Sequence, residues 1–214
     1  MSGTHLSDNA ASGTSSRRTQ PTRTGGAMLL AAGFSRRFGS IKLAAELPDG
    51  NTLFARTLRN LLAAAPEVIV VGRAELAQLG VYEQLQSTDP CRVKLVLCPQ
   101  ADEGMGRTLA TGACHIPAHW SSCLICLADM PYIAADTYSQ ILQHCEPDNI
   151  VIPTYQGRRG HPVGFGRDFF EDLRNCQGDT GARKLLGARP DAVHLLPVDD
   201  PGVLQDIDQP HDLA

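Results

Sequence analysis

The 214 residues carry a formal net charge of −4 with 43% hydrophobic and 20% charged side chains, which suits one α/β domain around a single core and leaves little room for two. The mild acidity and the lack of a dense basic patch exclude nucleic acid as the main partner, and no apolar run approaches the roughly 18–20 residues of a membrane span. Residues 1–26 lack the apolar core of a secretory signal, and an odd count of seven cysteines argues against a complete disulfide framework, so a reducing cytoplasm is expected.

Residues 1–26, rich in Ser, Thr, Gly and Arg, bury too little surface to offset their ordering entropy and are expected to form a disordered tail before a domain over 27–214. The apolar run Ala27–Ala32 reads as a strand buried on both faces. A loop with Gly33, Ser35, Arg36, Arg37, Gly39 and Lys42 leaves its end. Ligands of parallel α/β sheets sit outside the carboxyl ends of strands, and here glycines permit close backbone approach while cations neutralise an anion. The loop is neither a Walker A sequence nor the dinucleotide G-x-G-x-x-G. Asn51 is read as a helix cap, followed by Phe54, Leu58, Leu61, Leu62 and Ala65 on one face, with Pro66 as the stop. Strands are expected over Glu67–Val71 and Arg92–Leu97, with a poorly defined stretch over 74–88 between them. This alternation predicts a three-layer α/β/α domain with a mainly parallel central sheet.

After the third strand, Gly104 and Gly106 precede a helical stretch to about His115, whose first N–H groups would offer a base or phosphate something to bind. A fourth strand runs from Ser121 into Leu-Ala-Asp-Met-Pro131. A carboxylate just past an apolar strand, as at Asp129, is buried cheaply only when paired or bound to metal; the bland alternative is a turn residue. Cys123 and Cys126, three apart on that strand, point to opposite faces and cannot chelate one ion, and Pro117 breaks the helical spacing of His115 and His119. Tyr138, Ile141, Leu142 and Cys145 share the face of the next helix. A strand over Asn149–Pro153 leads into a tight reversal at Gly157 and Gly160, and His161 before Pro162 is biased to extended geometry. In Gly178–Arg183, Asp179 is read as a helix cap with Arg183 at the helix start. Ala192–Leu196 is read as a last strand before the closing run Asp206-Ile-Asp208-Gln-Pro.

Three of these stretches, L-A-A-G-x-S-x-R-F-G-x-x-K over Leu30–Lys42, G-M-G-x-T-L over Gly104–Leu109 and L-A-D-M-P over Leu127–Pro131, resemble the nucleotidyltransferases that act on sugar phosphates and on the molybdenum cofactor. Phe38 stands where that pattern usually has Met. The resemblance implies the nucleotide-diphospho-sugar transferase fold, with a loop that wraps the triphosphate. It makes Arg37 and Lys42 phosphate-binding cations and Ala31, Ala32, Gly33, Ser35, Gly106 and Thr108 further nucleotide contacts. It also makes Asp129 a ligand of Mg²⁺, a hard cation that suits oxygen donors among phosphates. A second acidic ligand would be Asp206 or Asp208; a short strand would put both on one face, so the choice stays open with Asp206 as the first candidate. Tyr155–Val163 (Y-x-G-x-R-G-H-P-V) and Gly178–Arg183 (G-D-x-G-A-R) resemble the cytidylyltransferases of that cofactor. They imply an acceptor pocket contacted by Arg159, His161, Asp179 and Arg183, with CTP as donor and molybdenum-bearing molybdopterin as acceptor. The rivals are transfer to a sugar or polyol phosphate, and a non-catalytic carrier that delivers the cofactor to a client molybdoenzyme.

Overall fold

Every residue of the apolar run after Gly25 is buried, because helices cover both faces of the strand it forms. The computed structural model describes residues 24–34 and 38–213, so the tail expected over 1–26 lies almost wholly outside the described residues. The elements in order are β1 (Gly25–Leu30), α1 (Leu53–Ala64), β2 (Val68–Gly72), α2 (Ala74–Gln78), β3 (Val93–Leu97), α3 (Met105–Ala113) and β4 (Ser122–Leu127). They continue with α4 (Ala135–His144), β5 (Ile150–Tyr155), β6 (Arg158–Arg159), β7 (Val163–Gly166), α5 (Phe170–Arg174), α6 (Arg183–Ala188) and β8 (Val193–Pro197).

The strands form one sheet in the order β3-β2-β1-β4-β7-β5, with the first four parallel and β7 antiparallel to both neighbours. β5 also pairs with the short β6, antiparallel, and with β8, parallel. Ala27, Leu29 and Ala31 pack with Phe54, Leu58 and Leu61 of α1 and with Tyr138 and Ile141 of α4. Met28, Leu30 and Ala32 pack with Leu109 and Ala113 of α3 and with Phe170 and Leu173 of α5. Period-two alternation thus divides one strand between two cores, and each fully buried aliphatic or aromatic side chain contributes about 1.5–3 kcal/mol. The connection through α1 covers one face and that through α3 the other, so the strand order reverses between β1 and β4. A crevice opens at the carboxyl ends of these two strands, where such sheets bind ligands.

Several expectations are corrected. β1 begins at Gly25 rather than Ala27, and a Cβ at Gly26 would sit 2.0 Å from the Trp120 ring, so only glycine lets that ring lie across the strand. The cap of α1 is Thr52, whose Oγ1 accepts from Ala55 N at 3.2 Å, while Asn51 bonds Asp49 instead. β3 is an edge strand with Leu95 and Leu97 exposed, not a strand buried on both faces. As expected, Cys123 and Cys126 face different cores, and burial pushes both thiols well up, holding them protonated. Among the described residues no helix is long and apolar enough to cross a membrane.

Candidate active site

The carboxyl ends of β1 and β4 bring together two motifs 87 residues apart. Lys42 opens a single 3₁₀ turn, is 8% exposed, and places Nζ 2.7 Å from Asp129 Oδ2 and 3.3 Å from Asp208 Oδ1. Asp129 stands two residues beyond β4, where three contacts fix the backbone. Ala128 N donates to Leu30 O at 3.1 Å, Thr57 Oγ1 lies 3.1 Å from Ala128 O, and Ile207 N donates to Asp129 O at 2.9 Å. The last contact leaves no short strand that would put Asp206 and Asp208 on one face. Residues 205–208 are irregular, and with Ile207 pinned and buried it is Asp208 that shares the ammonium with Asp129. Asp206 lines the same cleft, where its charge acts on His161.

The second oxygen of Asp129, Oδ1, is buried and has no hydrogen-bond partner among the described residues. A desolvated carboxylate oxygen of this kind suits a cation. Mg²⁺ among phosphates keeps several waters and needs only one or two carboxylates, so Asp129 with Asp208 fits a divalent ion even though no cluster of three or more His, Cys, Asp or Glu is gathered among the described residues.

A cleft of about 640 Å³ extends from Asp129 between the sheet and α6. Arg158, Arg159, His161, Asp179, Arg183 and Asp206 contribute its polar wall, with Leu30, Ile125, Ile152 and Val163 among its apolar side chains. The two arginines sit after a two-residue turn in which Gln156 and Gly157 have φ of 49° and 78°, a backbone that favours glycine. Beyond them Gly160 N donates to Pro153 O at 2.8 Å and His161 N donates to Val203 O at 2.9 Å, and the His161–Pro162 peptide is cis. The imidazole Nδ1 is buried without a partner among the described residues. Burial lowers the His161 pKa from 6.5; the Asp129 carboxylate opposes this, Arg183 adds to it and Asp206 opposes it.

The strap that carries Asp206 and Asp208 is anchored by Asp200, for which no sequence signal stood out. Its Oδ2 accepts from Ala134 N at 3.0 Å and Thr137 Oγ1 at 2.6 Å, and its Oδ1 accepts from Gly202 N at 2.9 Å. Arg158 and Thr180 also line the cleft, and both lie inside the motifs over Tyr155–Val163 and Gly178–Arg183.

The expected nucleotide contacts divide into three groups. Ser35 and Arg37, with Arg36, lie outside the described residues. Ala31 and Ala32 turn their side chains into the two cores, so only their backbone can meet a ligand. The Ala31 carbonyl is held by the Tyr82 hydroxyl at 2.7 Å, whose pKa burial pushes up to about 12. Gly33 is exposed and a Cβ there would find open space, so internal packing does not demand the glycine, whereas close approach of a ligand would. Phe34 beside it stacks under the Arg73 guanidinium, 4.3 Å from the ring centroid. Gly106 is otherwise engaged: its N–H donates to Gly178 O at 2.7 Å, and a Cβ would press on Gln177 at 2.6 Å. Thr108 is buried in α3. The same packing overturns Asp179 as a helix cap. Its Oδ1 would lie 2.4 Å from a Cβ at Gly104, and α6 starts after Ala182 with no side-chain cap.

The profile of the MobA-like NTP transferase domain matches residues 27–199, which leaves Asp206 and Asp208 beyond the matched span. Purine catabolism protein PucB of Bacillus subtilis (strain 168) is 30% identical over 190 residues, 86% of this chain and 92% of PucB. Nicotine blue oxidoreductase of Paenarthrobacter nicotinovorans is 28% identical over 192 residues, 85% of this chain and 90% of that protein. Among solved structures, a nucleotidyl transferase from Methanothermobacter thermautotroptrophicus has a TM-score of 0.74 at 21% identity, over 88% of this chain and 94% of its own. Rv0371c of Mycobacterium tuberculosis H37Rv, in complex with manganese, has a TM-score of 0.71 at 24% identity, over 88% and 95%. The fold they share with this chain is that of the nucleotide-diphospho-sugar transferases.

Proposed function

The chain belongs to the MobA-like NTP transferase family, and from that premise we propose that it moves CMP from CTP to the phosphate of molybdenum-bearing molybdopterin and releases pyrophosphate. The observation that carries this reading is the Lys42 ammonium, 2.7 Å from Asp129 and 3.3 Å from Asp208, at the edge of a cleft lined by Arg158, Arg159 and Arg183. A phosphate-monoester acceptor is largely ionised at neutral pH, its second pKa being about 6, so the reaction needs no strong general base. The barrier is repulsion between anions and the charge that builds on the leaving pyrophosphate. Lys42 and Arg37 would bind the triphosphate and absorb part of that charge. Asp129 and Asp208, with Asp206 alongside, would hold a divalent metal, which when bound supplies further positive charge at the phosphates.

The apolar wall and its arginines suit an acceptor with a flat heterocyclic body and an anionic phosphate, and His161, kept neutral by burial, offers Nδ1 to a polar group of that body. The L-A-A-G sequence and the R-G-H-P cluster support CTP over GTP as donor. With both alanine side chains in the cores and the Ala31 N–H and carbonyl already bonded to Val71 and Tyr82, the base would be read by backbone groups of Ala32 and Gly33.

The test is pyrophosphate release from CTP, GTP, ATP and UTP in parallel, with Mg²⁺ and molybdenum-loaded molybdopterin. CTP-selective release that requires the cofactor is the expected result. Release with a sugar or polyol phosphate would move the acceptor. Silence with every nucleotide beside tight cofactor binding would make the chain a carrier.

A further inference from the structure

We propose that, in the substrate-free protein, Lys42 is the built-in counter-cation of the metal-binding carboxylates, so that a divalent metal alone binds weakly and enters well only when nucleotide phosphates draw the ammonium away. This rests on the nucleotidyl-transfer reading and concerns the order of events in that same site.

Two carboxylates brought close at a half-buried position repel one another and need positive charge between them. Among the described residues, Lys42 is the only cation within ion-pair distance of Asp129, and its side chain is 10% exposed against 25% for Asp129 and 51% for Asp208. The cation is therefore the most enclosed member of the triad, held from below by its own 3₁₀ turn while the carboxylates face the cleft. A divalent ion drawn to Asp129 would meet that ammonium on the same carboxylate, and like charges so close oppose one another. A lysine head rides on a flexible four-carbon stem, so it can change partners without moving its backbone. Triphosphate oxygens give it a new partner, and Asp129 is then open to the metal. Nucleotide and metal binding are thereby coupled through one side chain.

The sign of the coupling separates this role from a merely structural one. If Lys42 only braces the two carboxylates, removing its charge loosens them and weakens metal binding. If it competes with metal, removing its charge strengthens metal binding. The experiment is a titration of the full chain with Mn²⁺ and no nucleotide, with free Mn²⁺ read by electron paramagnetic resonance. Lys42→Met is expected to bind Mn²⁺ at least about tenfold more tightly than the wild type, and Lys42→Arg, which keeps the charge, to stay within about twofold. Lys42→Gln retains a donor for the carboxylates and serves in place of the methionine variant should that one fail to fold. Unchanged or weaker Mn²⁺ binding in a folded neutral variant overturns the proposal. Failure of the nucleotidyl-transfer reading would register separately, as wild-type protein that releases no pyrophosphate from any nucleotide.

Discussion

Replacing Asp200 by alanine should damage both stability and metal use, because one buried carboxylate ties the start of α4 to the strap that carries Asp208. The change removes acceptors from Ala134 N, Thr137 Oγ1 and Gly202 N, at 3.0, 2.6 and 2.9 Å. Asp200 is 8% exposed, so in the intact protein these donors depend on the carboxylate rather than on bulk water. Ala134 has no side-chain cap of its own, and the carboxylate supplies one from 66 residues away. Losing a helix cap costs about 1 kcal/mol, and a buried donor left unsatisfied costs about 1–3 kcal/mol. Water entering the space vacated by the carboxylate offsets part of this, for a net loss of about 3 kcal/mol. In a domain of this size that corresponds to a fall of roughly 6–12 °C in Tm. Asp200→Asn keeps one acceptor and should lose about half as much. The assay is thermal unfolding followed by circular dichroism, together with a Mg²⁺ titration of turnover in the surviving folded protein. The strap's displacement should raise the Mg²⁺ needed for half-maximal rate. A Tm change below about 2 °C in Asp200→Ala, or an unaltered Mg²⁺ requirement, would mean that Asp200 does not hold the strap in place.

Further outcomes follow from the site. Asp129→Asn should lower kcat about 10³-fold while leaving the melting curve near that of the wild type, and steady-state pyrophosphate assays check it. Lys42→Ala should act mainly on kcat, by about 10²-fold, with a smaller change in KM for the nucleotide. Gly160→Ala drives a Cβ to within 2.4 Å of Val203 O and should cost about 2–3 kcal/mol in urea unfolding. Gly157→Ala, at φ 78° with open space around it, should cost only about 1 kcal/mol. His161 has a folded pKa below 6.5, so below that pH the unfolded chain binds a proton that the folded one refuses. Stability should therefore fall as pH drops through 6.5 toward the folded value, with no contribution above it. The Tm difference between pH 7.5 and pH 5.5 should shrink in His161→Asn, and an identical difference in both proteins would contradict the assignment.

Local patterns carried much of this architecture. The strand–loop signature over Leu30–Lys42 and the Asp after an apolar strand were readable because each is a short run with its own chemistry. Their meeting at 2.7 Å across 87 residues follows only from the parallel pairing of β1 with β4. Where local signals misled, a tertiary contact outweighed them. Asp179 has the spacing of a helix cap, but Gly104 and Gly106, just before and just inside the start of α3, let residues 177–179 press against that helix start instead. Asp206 and Asp208 alternate as in a strand, yet the Ile207 N–H bonds a single carbonyl, that of Asp129, and no ladder forms. β3 has the apolar content of a buried strand and lies at the sheet edge, a position that composition does not encode. Asp200 shows locally only the Asp-Pro-Gly cap of its own 3₁₀ turn, and its bond to Ala134, 66 residues earlier, has no signal in the sequence.

Nucleotidyl transfer to the cofactor is tested most directly by following the α-phosphate of the nucleotide. Incubating the protein with CTP labelled at that phosphate, Mg²⁺ and molybdenum-loaded molybdopterin should carry the label into the cofactor, with unlabelled pyrophosphate formed in equal amount. Asp129→Asn should slow formation of both products together, by about 10³-fold. Label that stays in CTP, or appears only as free CMP while the cofactor remains unlabelled, would contradict transfer to the cofactor phosphate.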